Sequence, residues 1–558
     1  MNITEHDIQK IVQAVLQNVE GSLAKTANDD TPKSVRPIKM KTLDPSEHNK
    51  SENSGGYLKG NGTNHNGKNK QFPGLVAPVN HCATTTNTSN KGNGQASGSH
   101  LDSSTGQFGV FENMDDAIEE GFNAQRNYVK NFQLKDREKI ISAIRKAILK
   151  EKEYLAKLVF EETKLGVYED KIAKLELTAL KTPGTEDLRT HAISGDDGLT
   201  IIEQGPFGLI GGVTPVTNPT ETIFNNTIGM IAAGNAVVFN VHPSSKRSCA
   251  YAVSLINKTI IEAGGPANLV TMVREPTMET MQRLIDNPKV KILVGTGGPG
   301  LVKSLLKSGK KAIGAGAGNP PVIVDETADI EHAAKAIVEG ASFDNNLLCI
   351  AEKEVFVIDA VADDLIFHML NNGAYMLSQN ELEHVMTFAL EENVNKEARG
   401  CSLDTKREYH VAKKWVGQSA SKFLEKIGVQ PSSNVKLLIC EVDFDHPFVQ
   451  VEQLMPVLPI VKVRNLDEAI AMAVEAEHGN RHTALMHSKN VDNLTRFARA
   501  VETTIFVKNA SSLAGVGFGG EGHTTMTIAG PTGEGITSAR TFTRQRRCVL
   551  AEGGFRII

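Results

Sequence analysis

What this sequence lacks narrows it first. It contains no run of about 18 apolar residues, the length a helix needs to cross a bilayer, so a membrane partner is not expected. Its opening residues carry no basic stretch, apolar core and small-residue cleavage site, so no secretory leader is expected and the chain should stay inside the cell. The six cysteines, Cys82, Cys249, Cys349, Cys401, Cys440 and Cys548, include no CxxC pair, which leaves neither a disulfide framework nor a metal centre to expect. Positive charge is not in excess either: 60 Lys and Arg against 65 Asp and Glu give a net charge of −5, no footprint for a nucleic acid partner. With one Trp, 49 Gly, 40% hydrophobic and 22% charged residues, the composition is that of a soluble globular protein rich in turns.

What is present begins with a short amphipathic stripe. Ile3, Ile8, Ile11, Val12, Val15, Leu16 and Val19 recur at helical spacing, Thr4 with Asp7 can cap the start, and Gly21 can end it. From residue 22 to 106 the chain is rich in Asn, Gly, Ser, Thr and Lys, as in KGNGTNHNGKNK, and is too poor in apolar surface to fold; a small apolar island, FPGLVAPV, sits at 72–79. A helix on such a tether is free to reach another molecule, so residues 1–21 read as a docking segment and 22–106 as its disordered linker. Beyond Phe108 long helical stretches give way to short β-rich runs (GLIGGV, AVVFNV, VKILVG, PPVIVD) that alternate with helices. That alternation predicts an α/β fold with parallel sheets and crossover helices.

Three segments could carry chemistry. VGTGGPGLVK (294–303) puts glycines between a strand and a helix, where backbone amides can approach a phosphate, although a tight turn needs the same residues; Lys303 adds charge only if it points back to that helix terminus. GVTPVTNPTET (212–222) is strand, polar turn and helix start; Asn218 there is either a turn former or a donor to an oxyanion. Cys349, among Leu347, Leu348 and Ile350, reads by its neighbours alone as a core thiol.

Taken together, TPVTNPTE, the His242-Pro243 pair, VGTGGPG, GAGAGNPP, the Cys349 segment, EQLMP and FVKNA occur in an order that resembles the aldehyde dehydrogenase superfamily, from Phe108 onward. Within it the chain is most similar to the CoA-acylating propionaldehyde and acetaldehyde dehydrogenases of bacterial microcompartments. The resemblance implies a Rossmann-type cofactor domain (107–189 and 204–316), a catalytic domain (317–523), and a β flap for oligomerisation with a terminal strand (190–203 and 540–558), hence a homodimer or homotetramer. It implies that Cys349 attacks a short aldehyde, hydride leaves for NAD (NADP stays open), and a thioester remains. It also implies that residues 1–21 bind shell or lumen proteins of a microcompartment.

The most informative feature within the resemblance is an absence. Hydrolytic relatives carry a Glu in an ELGGKSP-like motif to activate water; here GAGAGNPP puts Gly314 or Ala315 at that position. Without the base, coenzyme A, whose thiol is far more acidic than water, is the expected acyl acceptor. Other roles follow residue by residue. Thr217 stands where the family has its oxyanion Asn, with Asn218 one position later, so either is a candidate beside the Cys349 amide. His242 stands near the adenosine ribose; Gly295, Thr296 and Gly300 face the pyrophosphate; Glu452 meets the nicotinamide ribose; His482 lies near the acyl or CoA site or is structural. The competing expectations are a hydrolytic or phosphorylating semialdehyde dehydrogenase and a shell-associated protein without activity.

Overall fold

The computed structural model describes residues 108–393, 408–432 and 434–553, all within the unit Ala96–Ile558. The docking segment 1–21, the linker 22–106 and the island 72–79 lie outside the described residues.

Apolar β-branched runs too short for helices build two parallel sheets. The first orders its strands Val110–Phe111, Val270–Val273, Ala236–Asn240, Leu209–Val213, Val290–Thr296 and Lys311–Ala315. From Leu209–Val213 the chain winds outward to one side, then returns to lay Val290–Thr296 on the other. The order therefore reverses between these two strands, and crevices outside the carboxyl ends of strands at such a reversal are where α/β sheets take ligands. Val213 pairs with Gly295 at that end, so the turn after each strand opens into the same crevice. Gly212 is required there by packing: a Cβ would stand 2.6 Å from the Phe239 ring.

The second sheet orders Ala374–Met376, Leu437–Glu441, Val457–Val463, Glu354–Ile358, Pro321–Val324, Thr483–His487 and Ile505–Lys508, again all parallel. Residues 316–320 are all that separate the last strand of the first sheet from the strand Pro321–Val324 of the second. Carboxyl ends of one sheet thus lead directly into amino ends of the other.

Helix Pro219–Ala232 starts at the reversal point and is buried along all 14 residues. A helix apolar on one face only would not survive there; this one carries Ile223, Phe224, Ile228, Met230 and Ile231 around its circumference, and its Thr222, Asn225 and Asn226 side chains find partners, while Thr227 Oγ1 has none among the described residues. Strands His191–Gly195, Gly198–Pro206 and Thr543–Ala551 form a separate antiparallel sheet. The middle strand runs three residues past the expected flap boundary at 203, because Gly205 and Pro206 still pair with Arg544 and Thr543. Residues 524–539, which the expected domain bounds leave out, return to the first core, where Ala529 and Ala539 are buried with Phe542 of the terminal segment. Among the described residues no helix is long and apolar enough to cross a membrane.

Candidate active site

Cys349 lies between helix Ile330–Ser342 and strand Glu354–Ile358, at the amino end of the second sheet. The turn that delivers it is unusual: Asp344, Asn345 and Asn346 take φ of 49°, 54° and 65° in succession. Non-glycine residues resist the left-handed region, and Asp and Asn tolerate it best because their short side chains can bond nearby backbone. Each is tied down. Asn345 Nδ2 donates to the carbonyls of Gly166 (3.2 Å) and Gly417 (2.9 Å), Asn346 Nδ2 to those of Ala341 (2.8 Å) and Glu352 (3.0 Å). Asp344 accepts from Val167 N–H at 2.7 Å and from the ammonium groups of Lys171 and Lys174. The residue that these bonds deliver, Cys349, is half-buried, unlike Cys249 and Cys440, which are wholly buried.

A third buried cation, after Lys171 and Lys174, bonds to the turn. Lys353 Nζ donates to the carbonyls of Asn346 (3.2 Å) and Leu348 (3.1 Å) and to Asn346 Oδ1. Burial pushes the Cys349 thiol up to about 12; Glu452 adds to the rise, and the Lys353 ammonium and the amides of Cys349 and Ile350 oppose it. Lys353 is itself lowered by burial, against the pull of Glu452 and the thiol.

Glu452 precedes the strand Val457–Val463 and accepts from Gly318 N–H at 3.2 Å. Burial holds its carboxyl above the ordinary range, with Lys353 and the Gly318 amide opposing. Gly318 also sits between two other groups of the site: a Cβ there would lie 2.6 Å from the Cys349 carbonyl oxygen and 2.9 Å from His482 Cγ. His482 is buried and pushed down to about 4 by burial and by Lys353, so it is a neutral imidazole at pH 7. Its Nδ1 lies 2.9 Å from Thr483 Oγ1, and its Nε2 has no hydrogen-bond partner among the described residues.

Asn218 reaches this region from the first sheet. Its Oδ1 accepts from Lys174 Nζ at 2.6 Å, and its Nδ2 makes a long 3.4 Å approach to Thr217 Oγ1. Thr217 is half-buried, Asn218 buried. Because the same Lys174 Nζ is 2.6 Å from Asp344 Oδ2, Asn218 and the Cys349 turn share one anchor.

Thr296 ends the strand Val290–Thr296, and helix Pro299–Leu306 begins three residues on, so the glycine cluster is a strand-to-helix turn. Gly298 and Gly300 are exposed and face open space, whereas a Cβ on Gly295 would meet Leu305 Cδ1 at 2.2 Å. Gly295 is thus glycine for packing, and the other two leave backbone amides accessible. Lys303 belongs to the last turn of that helix, not to its amino end. Across the crevice Thr214 Oγ1 is buried with no hydrogen-bond partner among the described residues. Thr296 Oγ1 lies 3.1 Å from Thr527 Oγ1, which donates to Asn226 Oδ1 at 3.2 Å and so links the turn to the buried helix. His242 stands apart from Cys349: it is exposed, two residues beyond the strand Ala236–Asn240, and its Nδ1 accepts from Ser244 N–H at 3.2 Å.

At the positions of interest for a general base, Gly314 and Ala315 close the strand Lys311–Ala315. Ala315 is 2% exposed, and Gly314 N–H donates to Thr532 Oγ1 at 3.1 Å. Neither brings a carboxylate.

The structure brings Cys349, Glu452 and His482 together around Gly318, ties Asn218 through Lys174 to the turn before Cys349, sets Thr217, Gly295, Thr296 and Gly300 at or just beyond the carboxyl ends of the strands Leu209–Val213 and Val290–Thr296, and leaves His242 exposed beyond the strand Ala236–Asn240. Lys174, Lys353 and Asp344 join them without having been singled out in the sequence. The signals were faint: EKE follows Cys349 closely, and DNN is a composition suited to left-handed backbone.

Residues 106–544 match the Aldehyde dehydrogenase family. The chain is 46% identical to acetaldehyde dehydrogenase (acetylating) EutE of Salmonella typhimurium over 81% of its length and 94% of that protein's. It is 47% identical to the propanal dehydrogenase (CoA-propanoylating) of the same organism, over 80% and 92% of the two chains. Its fold is similar to Rhodopseudomonas palustris propionaldehyde dehydrogenase with bound CoA and an acylated cysteine, at a TM-score of 0.76, 48% identity and coverage of 80% and 100%. A propionaldehyde dehydrogenase from the Clostridium phytofermentans fucose utilisation bacterial microcompartment gives 0.75 and 48%, over 80% and 98%.

Proposed function

The chain belongs to the aldehyde dehydrogenase family, and on that footing we propose that it is a CoA-acylating aldehyde dehydrogenase with Cys349 as its nucleophile. It converts a short aldehyde, propanal in preference to ethanal, together with NAD and CoA, to acyl-CoA, NADH and a proton. The observation that carries the choice of CoA over water is the closed end of the strand Lys311–Ala315, where Gly314 and Ala315 offer no base.

The Cys349 thiolate adds to the aldehyde carbonyl, and the oxygen that gains charge needs donors aimed at it. Asn218 Nδ2 and the Cys349 amide supply them; Thr217, whose hydroxyl is the weaker and less fixed donor, is the second candidate. The crevice suits a dinucleotide because Thr214 Oγ1 is a buried hydroxyl in need of a partner and Gly298 and Gly300 leave room for phosphate. Gly295, Thr296 and Gly300 would hold the pyrophosphate, Glu452 the nicotinamide ribose and His242 the adenosine end. When bound, the nicotinamide supplies the hydride acceptor. A thiol with an ordinary pKa near 8.5 is a far stronger acid than water and can take the acyl group without a carboxylate base. His482, with Nε2 free of partners among the described residues, is suited to hydrogen-bond the incoming thiol, while burial, which holds it down to about 4, makes it a poor acceptor of the proton.

Residues 1–21 act as the docking segment for a microcompartment shell or lumen protein, and the enzyme works in the lumen. The relative from a bacterial microcompartment supports this, as does the apolar stripe of the segment itself. Exposed Ile193, Val549 and Leu550 on the small antiparallel sheet support a homodimer or homotetramer, which light scattering of the purified chain would read directly.

Purified full-length chain should reduce NAD with propanal only when CoA is present, yielding propanoyl-CoA by mass spectrometry. C349S should lower the rate by about a thousandfold or more. Brisk turnover to free acid in water, or to acyl phosphate with phosphate, would sink the assignment of CoA, and a C349S enzyme of near-normal rate would sink that of the nucleophile.

A further inference from the structure

The oxyanion donor and the nucleophile turn hang from a single ammonium group. Lys174 Nζ lies 2.6 Å from Asn218 Oδ1, 2.6 Å from Asp344 Oδ2 and 3.4 Å from Glu221 Oε1. All four side chains are buried, Lys174 and Asp344 completely. The contacts to Asn218 and Asp344 are hydrogen bonds and the one to Glu221 is an ion pair, so one ammonium holds an amide oxygen between two carboxylates. They also come from separate parts of the chain: Asn218 and Glu221 from the start of the buried helix at the end of the first sheet, Asp344 from the left-handed turn that leads to Cys349.

We propose that Lys174 is a positioning residue that fixes the orientation of the Asn218 amide, so that Nδ2 rather than Oδ1 faces the oxygen of the bound aldehyde. This rests on the reading of Asn218 as the oxyanion donor. The physical reason is that a primary amide has two ends of similar size and opposite polarity, and packing alone distinguishes them poorly. An ammonium is a donor only, so it accepts one orientation. Turning the amide over would set an NH2 group against a cation, lose a charge-assisted bond of 2.6 Å and point a carbonyl oxygen at a developing negative charge. The held orientation has a second effect, since a cation bonded to Oδ1 draws electron density from the amide and makes its N–H groups stronger donors.

Neutralising Asp344 does not account for the arrangement. Lys171 also pairs with Asp344, at 3.3 Å, so that carboxylate has a cation without Lys174. What Lys174 adds beyond Asp344 is the pairing of Glu221 at 3.4 Å and the bond to Asn218, and only the latter reaches the amide. Burial by itself would strip the proton from Lys174, yet Asp344 and Glu221 more than offset it and hold the ammonium above its ordinary range, so it stays a donor at all working pH values.

The test is a double-mutant cycle on the full-length enzyme with propanal, NAD and CoA, read by the pre-steady-state rate of NADH formation. N218A is expected to lower that rate by about a hundred- to a thousandfold, as loss of an oxyanion donor does elsewhere. K174M is expected to lower it by at least about tenfold, with the KM for NAD within about twofold of the parent. K174M/N218A should then be no more than about threefold slower than N218A, because a lysine that acts through Asn218 has nothing left to orient. An N218A enzyme with a near-normal rate would sink the donor reading itself. A normal N218A loss, with K174M costing as much in that background as in the parent, would leave the donor standing and overturn the role of Lys174. Should K174M fail to fold, K174M/E221Q removes one cation and one anion together, and the same cycle is run with it.

Discussion

Cys349 needs its thiolate, and the surrounding protein resists forming it. With the thiol pushed up to about 12, only a small fraction is ionised at pH 7, and that fraction rises about tenfold per pH unit. Inactivation of the free enzyme by iodoacetamide should therefore accelerate steadily from pH 7 to 10 without a plateau; levelling near pH 8 would show an unperturbed thiol instead. Lys353 works in the opposite direction, since its ammonium favours the anion. K353M should slow alkylation at every pH, and it should also cost about 2 to 5 kcal/mol of stability, because the carbonyls of Asn346 and Leu348 and the amide oxygen of Asn346 lose their donor. Unchanged alkylation in a folded K353M protein would reduce Lys353 to a structural prop.

Helix Pro219–Ala232 shows the same accounting at the scale of an element. Every one of its residues is buried, so each polar side chain on it must find a partner or be paid for elsewhere. Asn225 does so three ways: Nδ2 donates to Thr182 Oγ1 at 3.0 Å, and Oδ1 accepts from Met526 N–H at 3.0 Å and Thr525 Oγ1 at 3.2 Å. N225A should destabilise the protein by about 2 to 4 kcal/mol, measured as a lowered urea midpoint; a midpoint within error of the parent would mean that water replaces the amide. Such helices and the strands around them were legible in the sequence because burial leaves a local imprint. AVVFNV and VKILVG are continuous apolar runs bounded by turn residues, and they became Ala236–Asn240 and Val290–Thr296. The lysines of the site left no such imprint. In YEDKIAKLELTALK, Lys171 and Lys174 look like any solvated charges beside acidic neighbours, and their partner Asp344 is 173 and 170 positions away. Lys353 in EKE reads as an exposed charge run, although all three residues are buried. Cys349 itself carried no local signal, and its place came from the family pattern.

The proposed docking segment, residues 1–21, is separated in sequence from the body described from residue 108 on by a stretch rich in Asn, Gly, Ser, Thr and Lys. Their functions should therefore separate. Residues 1–21 fused to a fluorescent reporter should bring it into microcompartments of a host that makes them, and the same fusion with Ile11→Glu should stay diffuse, since a charge on the apolar stripe removes its binding face. Equal targeting by both fusions would overturn the docking role.

The small antiparallel sheet has a consequence in time rather than in space. Strand Gly198–Pro206 lies between a neighbour made just before it and a partner made far later, with Arg544 donating to Pro206 across 338 positions of sequence. At about 5 to 20 residues per second, a ribosome leaves that edge without its mate for roughly 20 to 70 s. Throughout that interval the nascent chain presents a strand with one side of its backbone open, beside the exposed Ile193, to every other chain emerging from the same messenger. Synthesis, not the finished fold, is when this protein is most exposed to pairing with the wrong copy of itself.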